Sequence, residues 1–209
     1  MERVLMFSAM FHKRVLDLII SSLLLVPTLP LFLIFGTLIK LDSKGPIFFI
    51  QKRIGRRGAI FEMYKFRTMV ENAEQIGTGL FSYHDDNRIT RMGHFLRKTS
   101  LDELPQIFNV ISGDMSLIGP RPPVTYELGD YKDFKGSLKL RFRMKPGISG
   151  LAQTSGRNDL NWDEKIVYDN IYIENFKTLG VLEDIRILFL TIWVIVSMKN
   201  TIEKKATEE

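Results

Sequence analysis

From Leu18 to Ile39 the chain carries no charged residue, and Leu, Ile, Val and Phe fill most of these 22 positions. About 20 such residues cover a hydrocarbon core of about 30 Å, so the run reads first as a membrane helix. A cleaved leader fits poorly, because the run is long, follows His12-Lys13-Arg14 and Asp17, and shows no small-residue cleavage site before Lys40. A buried core helix is the other reading. Pro27 and Pro30 lie mid-block, and each removes a backbone donor and clashes with the preceding turn. They predict a break with two arms, Leu18–Val26 and Leu31–Ile39, each about 13 Å long if helical. Both flanks are basic, with Lys13 and Arg14 before the block and Lys40, Lys44, Lys52, Arg53, Arg56 and Arg57 after it. Neither end looks translocated, so the pattern predicts a re-entrant helix that returns to the face it entered from.

Beyond the block the apolar pattern becomes short-range. Gly45-Pro46 signals a turn, Ile47–Ile50 a strand, Gly55–Gly58 a basic turn, and Phe61–Phe66 alternates as a second strand. Leu101, Leu104, Ile107, Phe108 and Ile111 recur at helical spacing, and Gly113, Gly119-Pro120 and Pro122-Pro123 interrupt the chain after them. A second apolar stretch, Ile187–Met198, is too short to span and predicts a buried or interfacial helix. Lys204–Glu209 reads as a charged, frayed tail. The expected class is α+β, mainly helical with short strands. A re-entrant membrane helix (1–44) would precede a cytosol-facing globular domain with interfacial amphipathic helices (45–200) and a charged tail (201–209).

Composition adds one constraint. The net charge of +5 and pI near 9.4 favour an anionic partner, and the absence of cysteine excludes disulfides and thiolate metal sites. Basic residues gather twice. Lys52, Arg53, Arg56, Arg57, Lys65 and Arg67 form one group; Lys132, Lys135, Lys139, Arg141, Arg143 and Lys145, interleaved with Tyr131, Phe134 and Phe142, form the other. Such mixing suits single-stranded nucleic acid, anionic headgroups, substrate phosphate or a plain solvated face.

Asp102-Glu103 is the acidic pair of interest. Ser100-Leu101-Asp102-Glu103 has the form of a capping box, which would make the pair structural. A helix starting nearer Leu104, with Pro105 at its first position, would instead leave both carboxylates at a helix N-terminus. There an ionised Asp can act as nucleophile or as ligand for a hard cation. Gly119-Pro120-Arg121-Pro122-Pro123 presents Arg121 from a stiff loop, suited to phosphate or merely a surface turn. Arg97 and Arg157 add to a possible anion site. Neither a Walker loop nor a dinucleotide fingerprint is present, and His12, His84 and His94 lack metal spacing.

Taken in order, the motifs resemble the monotopic phosphoglycosyl transferases, the bacterial sugar transferases that start glycan assembly on a lipid carrier. They are Lys13-Arg14 with Asp17, Gly45-Pro46, Lys65-Phe66-Arg67-Thr68-Met69 and Ser100–Gln106. Phe108-Asn109, Gly113–Ser116, Gly119–Pro122, Pro146–Gly150 and Gly156-Arg157-Asn158 follow. The resemblance runs from about Lys13 to Met198. It implies that Asp102 attacks the β-phosphate of a UDP-sugar, UMP leaves, and undecaprenyl phosphate takes the phospho-sugar from the carboxylate. It further implies Mg²⁺, with Asp102 among its ligands, and phosphate contacts from Arg121, Arg97, Lys65 and Arg67. Glu103 would orient donor or metal, or serve as base. Glucose, galactose and N-acetylated amino sugars are all donors for enzymes of this type. The expected place is the cytoplasmic face of the bacterial inner membrane, among its lipids, in the minimal catalytic form of the family. Where family members often place Ser before the helix-breaking proline, Leu29 precedes Pro30, which predicts a different break.

Two readings from other classes compete. A nucleic-acid module explains the basic clusters but not the apolar block or the acidic pair, and a membrane-anchored scaffold leaves the ordered motifs idle. Neither matches the whole pattern, and no nucleic-acid partner is expected.

Overall fold

The computed structural model describes residues 2–75, 79, 86–156 and 159–197. It is mostly helical, with short strands and one long apolar N-terminal helix, α1 (Glu2–Asp42). Helical backbone runs unbroken through Pro27 and Pro30, so the expected separation into two arms by non-helical residues does not form. Thr28 Oγ1 donates to the carbonyls of Leu24 and Leu25, at 2.9 Å each, a back-bond that bends helices.

Both halves of α1 rest on the rest of the protein. In the first half, Lys13 Nζ donates to Asp184 Oδ2 (2.7 Å) and to the carbonyl of Ile118 (2.8 Å), and Asp17 accepts from the Leu117 amide. In the second half, Phe35 and Ile39 are buried with Phe66 and Leu96, and Asp42 accepts from the Met92 amide. Between them Leu23, Leu24, Val26 and Leu29 are exposed, as are Leu33 and Ile34 further along. By length and composition α1 is the one helix among the described residues able to cross a membrane.

After α1 comes an antiparallel hairpin, β1 (Phe48–Ile54) and β2 (Ile60–Phe66), in register from Phe48 opposite Phe66 to Ile54 opposite Ile60. The sequence-predicted strands are therefore found, with β1 three residues longer than its apolar start. Arg56–Gly58 forms the basic turn expected there. Next are α2 (Arg91–Thr99), a tight turn at Leu101–Glu103 and α3 (Gln106–Ser112). A single helix over Leu101–Ile111 is thus replaced by a turn and a shorter helix. Gly113, at φ +96°, ends α3, and Arg14 donates to its last carbonyls, Val110 and Ile111.

β3 (Ser116–Ile118) pairs in parallel with β4 (Gly147–Ser149); α4 (Gly136–Leu140) lies between them in the chain, and α5 (Leu151–Ser155) follows. α6 (Trp162–Leu179) opens with a full capping box that the sequence reading passed over: Asn161 accepts from the Glu164 amide, and Glu164 accepts from the Asn161 amide. α7 (Val181–Val196) begins six residues before the predicted apolar stretch. Its first turn is acidic and buried, whereas Phe189, Ile192, Trp193 and Val196 are exposed. Ile118, Met144, Tyr172, Phe176 and Ile187 form the core beneath α6 and α7.

The second basic cluster is not one surface. Phe134 and Phe142 are buried with Ile54, and Arg141 is 1% exposed and paired with Asp169 at 2.8 Å. Aromatics committed to a core cannot stack on bases, which removes the main support for nucleic-acid binding. The charged tail and His84 lie outside the described residues.

Candidate active site

Three separate elements bring partners to the acidic pair, which sits on a fourth. Lys65 is the penultimate residue of β2, Arg97 lies on α2, the dyad occupies the Leu101–Glu103 turn, and Arg121 follows β3. Gly93 lets α2 come close enough: a Cβ there would run into the Thr68 carbonyl just after β2. Arg97 Nε then reaches Thr68 Oγ1 at 2.9 Å.

Ser100 adopts φ +59°, ends α2 through its amide, and makes no side-chain capping bond to the turn. The first helical residue of α3 is Gln106, with Pro105 just before it. The capping-box reading of the acidic pair therefore fails. Both carboxylates sit on the turn ahead of α3, because Pro105 supplies no amide for a helix that would begin earlier.

The two carboxylates differ in how they are held. Glu103 Oε1 accepts from Lys65 Nζ at 2.8 Å and from both terminal nitrogens of Arg121 at 3.3 Å. Asp102 makes no hydrogen bond among the described residues; Lys65 Nζ approaches its Oδ2 to 3.9 Å. Burial pushes the Asp102 carboxyl above its ordinary range, Lys65 pulls it back, Glu103 adds to the rise, and Arg97 and Arg121 oppose it. Glu103 raises Arg121, while burial lowers Lys65. The result is a half-buried carboxylate that accepts no hydrogen bond among the described residues, ringed by three cations, next to a second carboxylate that holds two of those cations in place. That arrangement suits attack on an anionic phosphorus centre.

Not every sequence candidate joins the site. Arg67 lines the same cleft, but its guanidinium donates to the backbone carbonyls of Ser43 and Lys44 and so fastens the chain after α1. Arg157 lies outside the described residues. Gln51, which sequence reasoning passed over, and Arg53, which it named only within the first basic cluster, line the cleft with Glu74. Their spacing of two along β1, which puts both on one face, was the available signal.

The cleft measures about 1480 Å³ and is continuous. It contains Lys65, Asp102, Glu103 and Arg121, and it extends to Leu24 and Thr28 of α1 and to Val194 and Ile195 of α7. A charged pocket thus shares its space with the exposed apolar helices. The family model for bacterial sugar transferases matches residues 8–198. The chain belongs to that family. Among relatives, it is 40% identical over 202 residues to the undecaprenyl-phosphate galactose phosphotransferase of Salmonella typhimurium, covering 90% of this chain and 41% of that protein. It is 41% identical over 191 residues to the UDP-glucose:undecaprenyl-phosphate glucose-1-phosphate transferase of Klebsiella pneumoniae, covering 88% and 40%. It is 39% identical over 194 residues to the exopolysaccharide production protein ExoY of Sinorhizobium fredii, covering 86% and 83%. The chain therefore spans about two-fifths of the first two relatives and most of the third.

Proposed function

We propose that the protein moves a phospho-sugar from a UDP-sugar to undecaprenyl or a similar polyprenyl phosphate, as an early membrane step of glycan assembly. The observation that carries this reading is the free carboxylate of Asp102, set among Lys65, Arg97 and Arg121 in a cleft continuous with apolar helices. Family membership and the acceptor named in two relatives support it.

In the first half-reaction an Asp102 oxygen attacks the donor β-phosphorus. The bond from that phosphorus to the bridging oxygen breaks, UMP leaves with the bonding pair, and an aspartyl phospho-sugar remains. In the second, an oxygen of the polyprenyl phosphate attacks the same phosphorus and restores the carboxylate. Arg121, Arg97 and Lys65 offset the charge that gathers on the phosphoryl oxygens. Glu103 holds Lys65 and Arg121 in position.

Mg²⁺ fits the donor set in one mode. The described residues form no cluster of three or more metal-ligating side chains, but Mg²⁺ is commonly held by one or two carboxylates together with substrate phosphates. Asp102 and Glu103 would supply those carboxylates, and the bound cation would neutralise diphosphate charge.

UMP release across a panel of UDP-sugars, with and without polyprenyl phosphate, tests the activity. Repeated turnover that requires the lipid and one donor sugar is expected, with no more than a single UMP per enzyme from donor alone; no release with any donor would end this reading.

We place α1 in the cytoplasmic face of the inner membrane, as a re-entrant helix. Arg14 bonds the Val110 carbonyl while the Phe32 ring meets that of Phe108 on the same short helix, with centroids 5.4 Å apart. A straight helix would hold residues 14 and 32 about 27 Å apart, so contact with sites two residues apart favours a bowed one. The basic flanks then share one face, as the positive-inside rule prefers. Since the chain has no cysteine, Ser8→Cys and Lys44→Cys can each be labelled singly in intact cells with an impermeant thiol reagent. Both are expected to stay protected until the membrane is opened. Labelling of Ser8→Cys alone from outside would make α1 a span.

A further inference from the structure

We infer that Arg53 is a second phosphate-binding guanidinium of the cleft, contacting the phosphate of the donor's nucleotide half beside Arg121. The inference rests on the transfer reaction proposed for this cleft. Arg53 lies on β1 next to the Arg121 loop: its NH1 donates to the Pro122 carbonyl at 2.9 Å, and the Ile54 amide donates to the Pro123 carbonyl. Its NH2 donates to Gln51 Oε1 at 2.5 Å, and its Nε is buried with no partner. Among the described residues no carboxylate forms an ion pair with it, whereas Arg121 is held by Glu103.

Two guanidiniums are therefore fixed on adjoining segments, and one of them is half-buried, its Nε enclosed, without a counter-ion in contact. Burial, and then the charge of Arg121, press Arg53 down to about 10, against weaker support from Glu127, Glu103 and Glu74. A partly enclosed cation beside a like charge is costly unless an anion completes the site. A nucleoside monophosphate supplies up to two charges and several acceptor oxygens, and planar guanidiniums match that geometry.

The surroundings favour the nucleotide over the lipid phosphate. The hydrogen-bond and charge neighbours of Arg53 are Gln51, Glu74, Pro122, Arg121, Glu127 and Glu103. None belongs to α1 or α7, the helices along which a polyprenyl chain would approach.

The test uses the full chain in lipid nanodiscs, with UMP as probe. Three quantities are measured for wild type, Arg53→Gln and Arg53→Lys: UMP affinity by calorimetry, KM for polyprenyl phosphate, and the melting temperature. Arg53→Gln is expected to weaken UMP binding about tenfold or more, the worth of a charge-assisted hydrogen bond. The acceptor KM should not change, and melting should stay level or rise because a frustrated buried charge is gone. Arg53→Lys, which keeps charge without the fork, should recover only part of the affinity. Unchanged UMP affinity overturns the assignment, whether or not the acceptor KM rises. Loss of both ligands together with a lower melting temperature would make Arg53 a brace for the Arg121 loop, and also overturns it. Failure of the transfer reaction itself shows separately, as wild-type protein that releases no UMP from any donor.

Discussion

Asp102→Asn is expected to abolish UMP release from the donor, by about 10⁴-fold or more, the scale on which removal of a nucleophile acts. Wild-type enzyme mixed with donor alone should gain the mass of a phospho-sugar on Asp102, and the variant should gain none. Folding should be preserved, because Asp102 makes no hydrogen bond among the described residues that the isosteric amide would lose. A mass adduct or wild-type turnover in Asp102→Asn would assign the nucleophile elsewhere. The pH dependence follows from the same surroundings. With burial raising the Asp102 carboxyl, the acid limb of kcat/KM should lie above the ordinary carboxylate range. Lys65 is the foremost group opposing that rise, so Lys65→Met should move the limb to still higher pH. A limb that stays in place, or moves down, would show that Asp102 is not the titrating group.

Asp169→Leu is expected to destabilise the protein by about 3–5 kcal/mol, measured by denaturation in nanodiscs. Asp169 Oδ2 accepts from Arg141 Nε at 2.9 Å, and both side chains are almost wholly enclosed. Burial raises Asp169 to about 6 and lowers Arg141, yet the pair stays charged at neutral pH. Taking away the carboxylate strands a guanidinium between the rings of Trp162 and Phe142. The double variant Arg141→Met, Asp169→Leu should recover much of the loss, since replacing both partners by apolar groups removes the uncompensated charge. It should not recover full activity, because Arg141 NH2 also donates to the Arg121 carbonyl at 2.6 Å and so sets the loop that presents Arg121, proposed above to bind phosphate. Wild-type melting of Asp169→Leu alone would contradict this account.

The parts of this protein that were legible in its sequence are those decided by near neighbours. The apolar block, the strands of the hairpin, the Arg56–Gly58 turn and the breaks around Gly113 and Pro120 depend on periodicity and on Gly and Pro backbone preferences. Even there, local rules left choices open. Ser100 and Glu103 have capping-box spacing, but Pro105 and the φ of Ser100 decide against it, whereas Asn161 and Glu164 form the box that does exist. Proline predicted a gap in α1, yet helical backbone continues through both prolines, with Thr28 bonded back to the turn before it.

The order of motifs was enough to identify a family, because a motif string survives without coordinates. What each charged residue contacts was decided only by the folded chain. Arg67, Arg121 and Arg141 look alike in sequence, yet one bonds the carbonyls after α1, one meets Glu103, and one is sealed against Asp169. A guanidinium's role is set by the acceptors within about 3 Å of it, and those acceptors come from distant parts of the chain. For the same reason the contrast between the tethered Glu103 and the unbonded Asp102 arises only where β2, α2, the turn and the loop after β3 converge.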